Sequence, residues 1–270
     1  MTRHAAVSLS GLALLISLSF TAQAEEALRV AADPVPHAEI LNYVKKIDPS
    51  LNLKVIELTS GVNANELLAH GDVDANYFQH VPYLREQEKA LGQTFRVAAT
   101  VHIEPLGIYS HKIKTLSALR DNASVAVPNN VTNLSRSLYL LQKEGLIKLK
   151  PGYDDPAKNQ ATPQDIASNP KHLKILEVES PQIPRALDDV DLAVINGNYA
   201  LEAGLVPARD ALGLESSQHN PYANILVTTP ALAGDARIKR LAKDLQSEQV
   251  AEFIRQNYKG SVIPVTGQPQ

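Results

Sequence analysis

Residues 72–84, DVDANYFQHVPYL, gather three aromatic rings and an imidazole (Tyr77, Phe78, Tyr83 and His80) just beyond a short run with the character of a buried strand. In an open α/β sheet, ligands sit outside the carboxyl ends of the strands. The cluster therefore suits one wall of a binding pocket, although ordinary core packing uses the same residue types. A second chemistry is raised by His37-Ala38-Glu39 and His102-Ile103-Glu104. Each sets an imidazole and a carboxylate at short spacing, with His80 nearby in sequence, and zinc sites commonly take three such ligands. No histidine-rich loop or HExxH helix supports that metal-capture alternative. Turnover has no signature: there is no GxSxG elbow and no GxGxxG or Walker sequence. The expectation is capture of a small solute by a protein that is not an enzyme and uses no cofactor.

Composition narrows the setting. The 270 residues contain no cysteine, which removes disulfides, thiolate nucleophiles and Cys-based metal centres. Acidic residues number 29 against 26 basic ones, without a basic block, so nucleic acid is not an expected partner. Arg3 and His4 precede an apolar run over 5–20, and Ala22-Gln23-Ala24 then gives the small-x-small pattern that signal peptidase reads. The run is shorter than the ~20 residues a membrane span needs. Residues 1–24 are expected to be a cleaved signal peptide and the mature protein to be periplasmic. Lipidation is not expected, because an acylated start requires a cysteine.

Positioning falls to an alternation of apolar strands and helical segments. Strands are predicted over 28–32, 53–58, 73–77, 95–103, 106–110, 124–127, 173–178, 192–195 and 224–228. Helices are predicted over 37–46, 63–70, 82–91, 132–143, 181–188 and, as one long element, 235–257. Thr132 or Asn133 would cap the fourth of these, and 150–164 has the composition of a loop. The βα rhythm implies an α/β protein with mainly parallel sheets. Pro105 with Gly107, and the stretch Asn220 to Asn224, interrupt extended runs as crossings between two lobes would. Residues 25–106 with 221–270 form the first expected lobe and 107–220 the second. Two such connections allow jaw-like closure.

Several collinear stretches, including PVPHAEIL (34–41), GDVDANYFQHVPYL (71–84), VHIEPLGIYS (101–110), VPNNVTNLSRSLYLLQKEGLIKLK (127–150) and NPYANILV (220–227), resemble the substrate-binding proteins of methionine ABC importers, the NlpA-type lipoprotein family. The resemblance implies a two-lobed periplasmic binding protein, type II-like, with two crossover strands and ligand in the interlobe cleft. It also implies methionine as ligand, an inner-membrane permease–ATPase complex as partner, and a single copy as the simplest state. Carried over by position, the ligand contacts are Phe78, His80 and Tyr83 from the first lobe, with Arg136, Asn196 and Asn224 as polar partners. A methionine zwitterion asks for such a set: a guanidinium for the carboxylate, amide groups for both charged ends, and rings around the thioether. With its helix starting at 132, Arg136 falls in the first turn, where free N–H groups add attraction for an anion. Two departures stand out. The mature start lacks the family's cysteine, and Ser60-Gly61-Val62 replaces an Asp-Tyr-Val sequence, which widens the expected pocket towards bulkier or modified amino acids.

Overall fold

A computed structural model describes residues 26–59 and 61–265. The expected signal peptide, 1–24, lies outside the described residues. Four strands, β1 (Leu28–Ala32), β2 (Leu53–Glu57), β3 (Ala75–His80) and β4 (Arg96–Ile103), alternate with α1 (Glu39–Ile47), α2 (Ala64–His70) and α3 (Val81–Leu91). The chain then leaves this unit and builds a second from β5 (Gly107–Tyr109), β6 (Ser124–Pro128), α4 (Val131–Lys143), β7 (Lys148–Leu149), β8 (Ile166–Ser168), β9 (Lys174–Val178), β10 (Leu192–Ile195), α5 (Gly197–Glu202), α6 (Pro207–Asp210) and β11 (Gly213–Leu214). It returns as β12 (Ala223–Thr228), α7 (Ala236–Leu245), α8 (Glu248–Tyr258) and β13 (Ile263–Pro264).

Two large sheets result, ordered β13-β4-β12-β3-β1-β2 and β11-β5-β10-β6-β9, and β7 and β8 form a separate pair. β1 reads Leu-Arg-Val-Ala-Ala with Leu28, Val30, Ala31 and Ala32 all fully buried. That near-continuous apolar run is what a parallel strand covered on both faces requires. Helices cover both faces: Ile40, Leu41 and Val44 of α1 and Leu241 and Leu245 of α7 pack on one side, Leu68 and Leu84 on the other. The second sheet is covered likewise by Leu138 and Leu141 of α4, and by Ile183 and Leu187 opposite.

Several boundaries differ from those predicted, each for a local reason. β3 extends to His80 because β12 continues to pair with it there, through Asn224 opposite His80, after the pairing with β1 has ended at Tyr77. Phe78 and His80 are therefore strand residues rather than loop residues beyond a strand. α4 begins earlier than predicted and is capped by Asn130, whose Oδ1 accepts from the Asn133 N–H at 3.0 Å. Arg136 consequently sits in the second helical turn, where the free N–H groups of the helix start do not reach. The predicted 235–257 helix is two helices, since Ser247 takes an extended conformation and caps α8 with its hydroxyl. The 181–188 helix is a 3-10 run, Ser180–Asp188, containing Pro184, which cannot donate to an α-helical ladder. β12 runs antiparallel to both β3 and β4, so the first sheet is mixed.

Leu138→Ala should lower stability by ~2–5 kcal/mol, the cost of a core truncation and its cavity. Urea denaturation should show this as a lower midpoint at unchanged slope.

Candidate binding site

The six residues singled out from the sequence line one cleft of about 340 Å³, a size within the roughly 300–1,000 Å³ typical of small-molecule sites. Phe78 and His80 come from the carboxyl end of β3, Tyr83 from the first turn of α3 and Asn224 from the neighbouring strand β12. Across the cleft, Arg136 comes from α4, and Asn196 stands between β10 and α5. Phe78 and Tyr83 are half-buried, with ring centroids 6.1 Å apart and planes at 83°, an edge-to-face pair. Gly61 lines the same cleft at φ +89°, with open space where a Cβ would stand.

His80 has a positional job as well. Its Nδ1 accepts from the Tyr83 N–H at 3.2 Å, capping α3. Nε2 must then carry the proton, which it donates to Asn133 Oδ1 of α4 at 3.0 Å. The imidazole thus ties the two units together. Burial, reinforced by the nearby Arg136 charge, pushes its pKa down to about 4, so it is neutral at physiological pH.

Arg136 is almost fully buried. Its Nε and Nη2 donate to both carboxylate oxygens of Glu215, at 2.5–3.1 Å, and Nη2 also donates to the Glu104 carbonyl at 2.8 Å. The guanidinium carbon lies 4.4 Å from the Tyr222 ring centroid, a cation–π contact. Burial opposes the charge, but the Glu215 carboxylate outweighs it and raises the pKa above its ordinary value. Nη1 has no protein partner among the described residues. Asn224 Oδ1 accepts from His37 Nε2 at 3.0 Å, leaving its amide N–H₂ as a donor. Asn196 Oδ1 is buried with no partner, a costly condition that a ligand donor in the cleft would relieve.

Beneath these side chains, Glu104 anchors the first crossing. Its Oε1 receives His102 Nε2 at 2.6 Å and lies 3.2 Å from His37 Nε2, while Oε2 accepts from the Asn198 N–H at 2.8 Å. Burial would raise its pKa, but His37, His102 and the Asn198 N–H outweigh that and hold it below its ordinary value. Tyr77 hydroxyl bonds the far nitrogen of His102. α5 approaches so closely that a Cβ on Gly197 would stand 2.8 Å from Glu104 Cβ. His37, His102 and Glu104 are the part of the metal-capture pattern that converges, their ligand atoms within 4.8 Å of one another. Glu39 instead bonds Tyr258, and His80 bonds Asn133. Glu104 and both nitrogens of His102 are engaged in hydrogen bonds and His37 Nε2 bonds Asn224, while His37 Nδ1 is buried without a partner.

Sequence reasoning missed Asp33, Asn133, Asn198 and Glu215, and saw Glu104 only as a candidate metal ligand. Asp33 follows the apolar strand β1 directly, as Asn196 follows β10. Glu215 carries no such cue, because its partner Arg136 is 79 positions away.

Similarity to known proteins covers almost all the described chain. The family model described as NlpA lipoprotein matches residues 28–266. The chain is 42% identical over 228 residues to the D-methionine-binding lipoprotein MetQ of Escherichia coli K12, a match spanning 84% of this chain and 82% of that one. A nutrient-binding protein from Burkholderia cenocepacia, solved bound to methionine, superposes with a TM-score of 0.83 at 44% identity, covering 88% of this chain and 99% of its own. A Bacillus subtilis structure described as a putative methionine-binding lipoprotein superposes with a TM-score of 0.84 at 38% identity, covering 89% and 98%. These neighbours are two-lobed periplasmic substrate-binding proteins, and this chain has the same two-lobed α/β fold.

Removing one partner of a buried ion pair strands the other, at ~3–5 kcal/mol. Arg136→Ala should lose that much stability in urea denaturation. For His80, a folded pKa below the ordinary 6.5 means the fold favours the neutral ring. Its contribution is intact above about pH 6.5 and is lost as pH falls towards 4, at up to ~1.4 kcal/mol per pH unit. His80→Gln should remove that slope from the pH dependence of unfolding free energy.

Proposed function

The chain belongs to the NlpA lipoprotein family, and from that premise we propose that it captures methionine in the interlobe cleft and hands it to an ATP-driven importer of the inner membrane. Phe78 and Tyr83, with His80 beside them, form the wall for the thioether tail. Arg136 Nη1 and the Asn224 amide donate to the carboxylate, and Asn196 Oδ1 accepts from the ammonium. The convergence of that aromatic wall with a buried, partnerless Asn196 oxygen in one cavity is the observation that carries this reading.

Energetics favours a closing jaw. Burying a methionine side chain contributes roughly 1.5–3 kcal/mol and sulfur–aromatic contact about 0.3–1.5 kcal/mol, against roughly 4–15 kcal/mol for association. Tight capture needs contacts from both lobes at once, which only the closed form supplies. Ligand then shifts the population towards the form the importer recognises. The protein changes no bond in its ligand and acts as a single periplasmic copy. Its lobes comprise 25–106 with 221–270, and 107–220. The sequence offers no cysteine for a lipid, so we place it untethered.

The open space at Gly61 favours a second reading within the same class: a bulkier or modified amino acid occupies the cleft.

Calorimetry with L- and D-methionine should show one tight site, with melting temperature raised by linkage. Asn196→Ala should weaken it ten-fold or more, ~1.4 kcal/mol per decade. No heat from either enantiomer, with tight binding of another small solute, would overturn the assignment; preference for a larger amino acid in a thermal-shift competition would support the Gly61 reading.

A further inference from the structure

Asp33 follows β1 and lines the cleft at only 9% exposure. It opens the turn Pro34–Ala38, yet its carboxylate caps no backbone N–H there. Oδ2 accepts from Asn198 Nδ2 of α5 at 2.9 Å, across the lobes. Oδ1 has no protein donor among the described residues, and no cation offsets the charge.

The other carboxylates of the cleft are differently placed. Glu104 has both oxygens filled. Glu179 and Glu202 are exposed, and Glu179 bonds Asn129. Arg136 is the one Lys or Arg among the described lining residues, and Glu215 already neutralises it. The cleft therefore carries an excess of negative charge, with one buried acid positioned to take a cationic group.

We propose that Asp33 is the counter-ion for the ligand's ammonium group, and so a specificity-determining residue that selects amino acids with a free amine. This rests on the amino-acid capture proposed above. Asn198 ties Asp33 to the same end of α5 that follows Asn196, which places a charged and a neutral acceptor at one corner of the site.

Proton release follows from this arrangement. Burial, with Glu104 and Glu202 adding like charge and Asn198 opposing, pushes the Asp33 carboxyl up to about 8. Tyr83 of α3 and Tyr199 of α5 face the same carboxyl. His37, on the same turn, is engaged by Glu104 and Asn224. Lys54 and Glu57 of β2, which packs on that turn, are exposed. Ligand-free protein thus holds Asp33 protonated at neutral pH. An arriving ammonium keeps its three hydrogens, pairs with the carboxylate and sends the Asp33 proton to solvent. Affinity should fall by up to about ten-fold for each pH unit below 8 and level off above it.

Calorimetry of methionine binding at pH 7, in phosphate and in Tris, reads the proton directly. Wild-type protein should release close to one proton per ligand. Asp33→Asn, which keeps the size and the Asn198 hydrogen bond, should bind ten-fold or more weakly with buffer-independent heat, and N-acetyl-L-methionine should not bind the wild type. Methionine binding without proton release, at an affinity that Asp33→Asn leaves unchanged, removes Asp33 from the site while the methionine assignment stands. No binding of either enantiomer removes both. If the variant folds poorly the wild type still decides: methionine binding without proton release, together with equally tight binding of N-acetyl-L-methionine, removes Asp33 from the site.

Discussion

A single buried guanidinium holds the geometry of this protein. Arg136 belongs to a helix of the second unit, and its donors reach the backbone of the first crossing at Glu104 and the carboxylate of Glu215, which directly follows β11. Tyr222, on the second crossing, supplies its face to the same cation. Arginine suits this post because its planar fork makes several directed bonds at once and stays charged when buried. It also borders the ligand cleft, and together with the His80–Asn133 and Asp33–Asn198 hydrogen bonds it joins the two units.

Charge distribution around that pair explains why so many polar groups can be buried at one place. Glu104 receives hydrogen bonds from His102 and the Asn198 N–H with His37 alongside, and Glu215 is matched to Arg136. Each buried charge has a partner, as burial demands. His37 and His80 remain neutral because desolvation outweighs the attraction of nearby acids. On the cleft wall, three groups lack a protein partner among the described residues: the Asn196 oxygen, one nitrogen of Arg136, and one oxygen of Asp33.

Much of this was legible in the sequence because it depends on local pattern. β1, β10 and α3 are written in apolar runs and in a helix end at Gly92, and strand-end logic gathered Phe78 and His80. Resemblance supplied Arg136, Asn196 and Asn224 as their companions. His102 and Glu104 lie on one side of an extended run at spacing two, so their partnership was visible, but its purpose was not. Ligation and hydrogen bonding use the same spacing, and only the arrival of His37 from a distant segment separates them. Glu215 was hidden for the same reason, since its meaning is a contact across 79 positions. The α4 cap was misplaced because Asn130, Thr132 and Asn133 are all good caps, and only the backbone conformation at Asn130 selects among them.

The place of β12 has a consequence for how the chain matures. It lies between β3 and β4 in the middle of the first sheet, although it follows the entire second unit in sequence. A chain emerging amino end first presents β3 and β4 with their facing edges unfilled for more than a hundred residues. Such edges invite pairing with other chains, and the late, long-range insertion is slow by its contact order. The strand that closes the middle of the first sheet is thus among the last segments of the chain to reach its place.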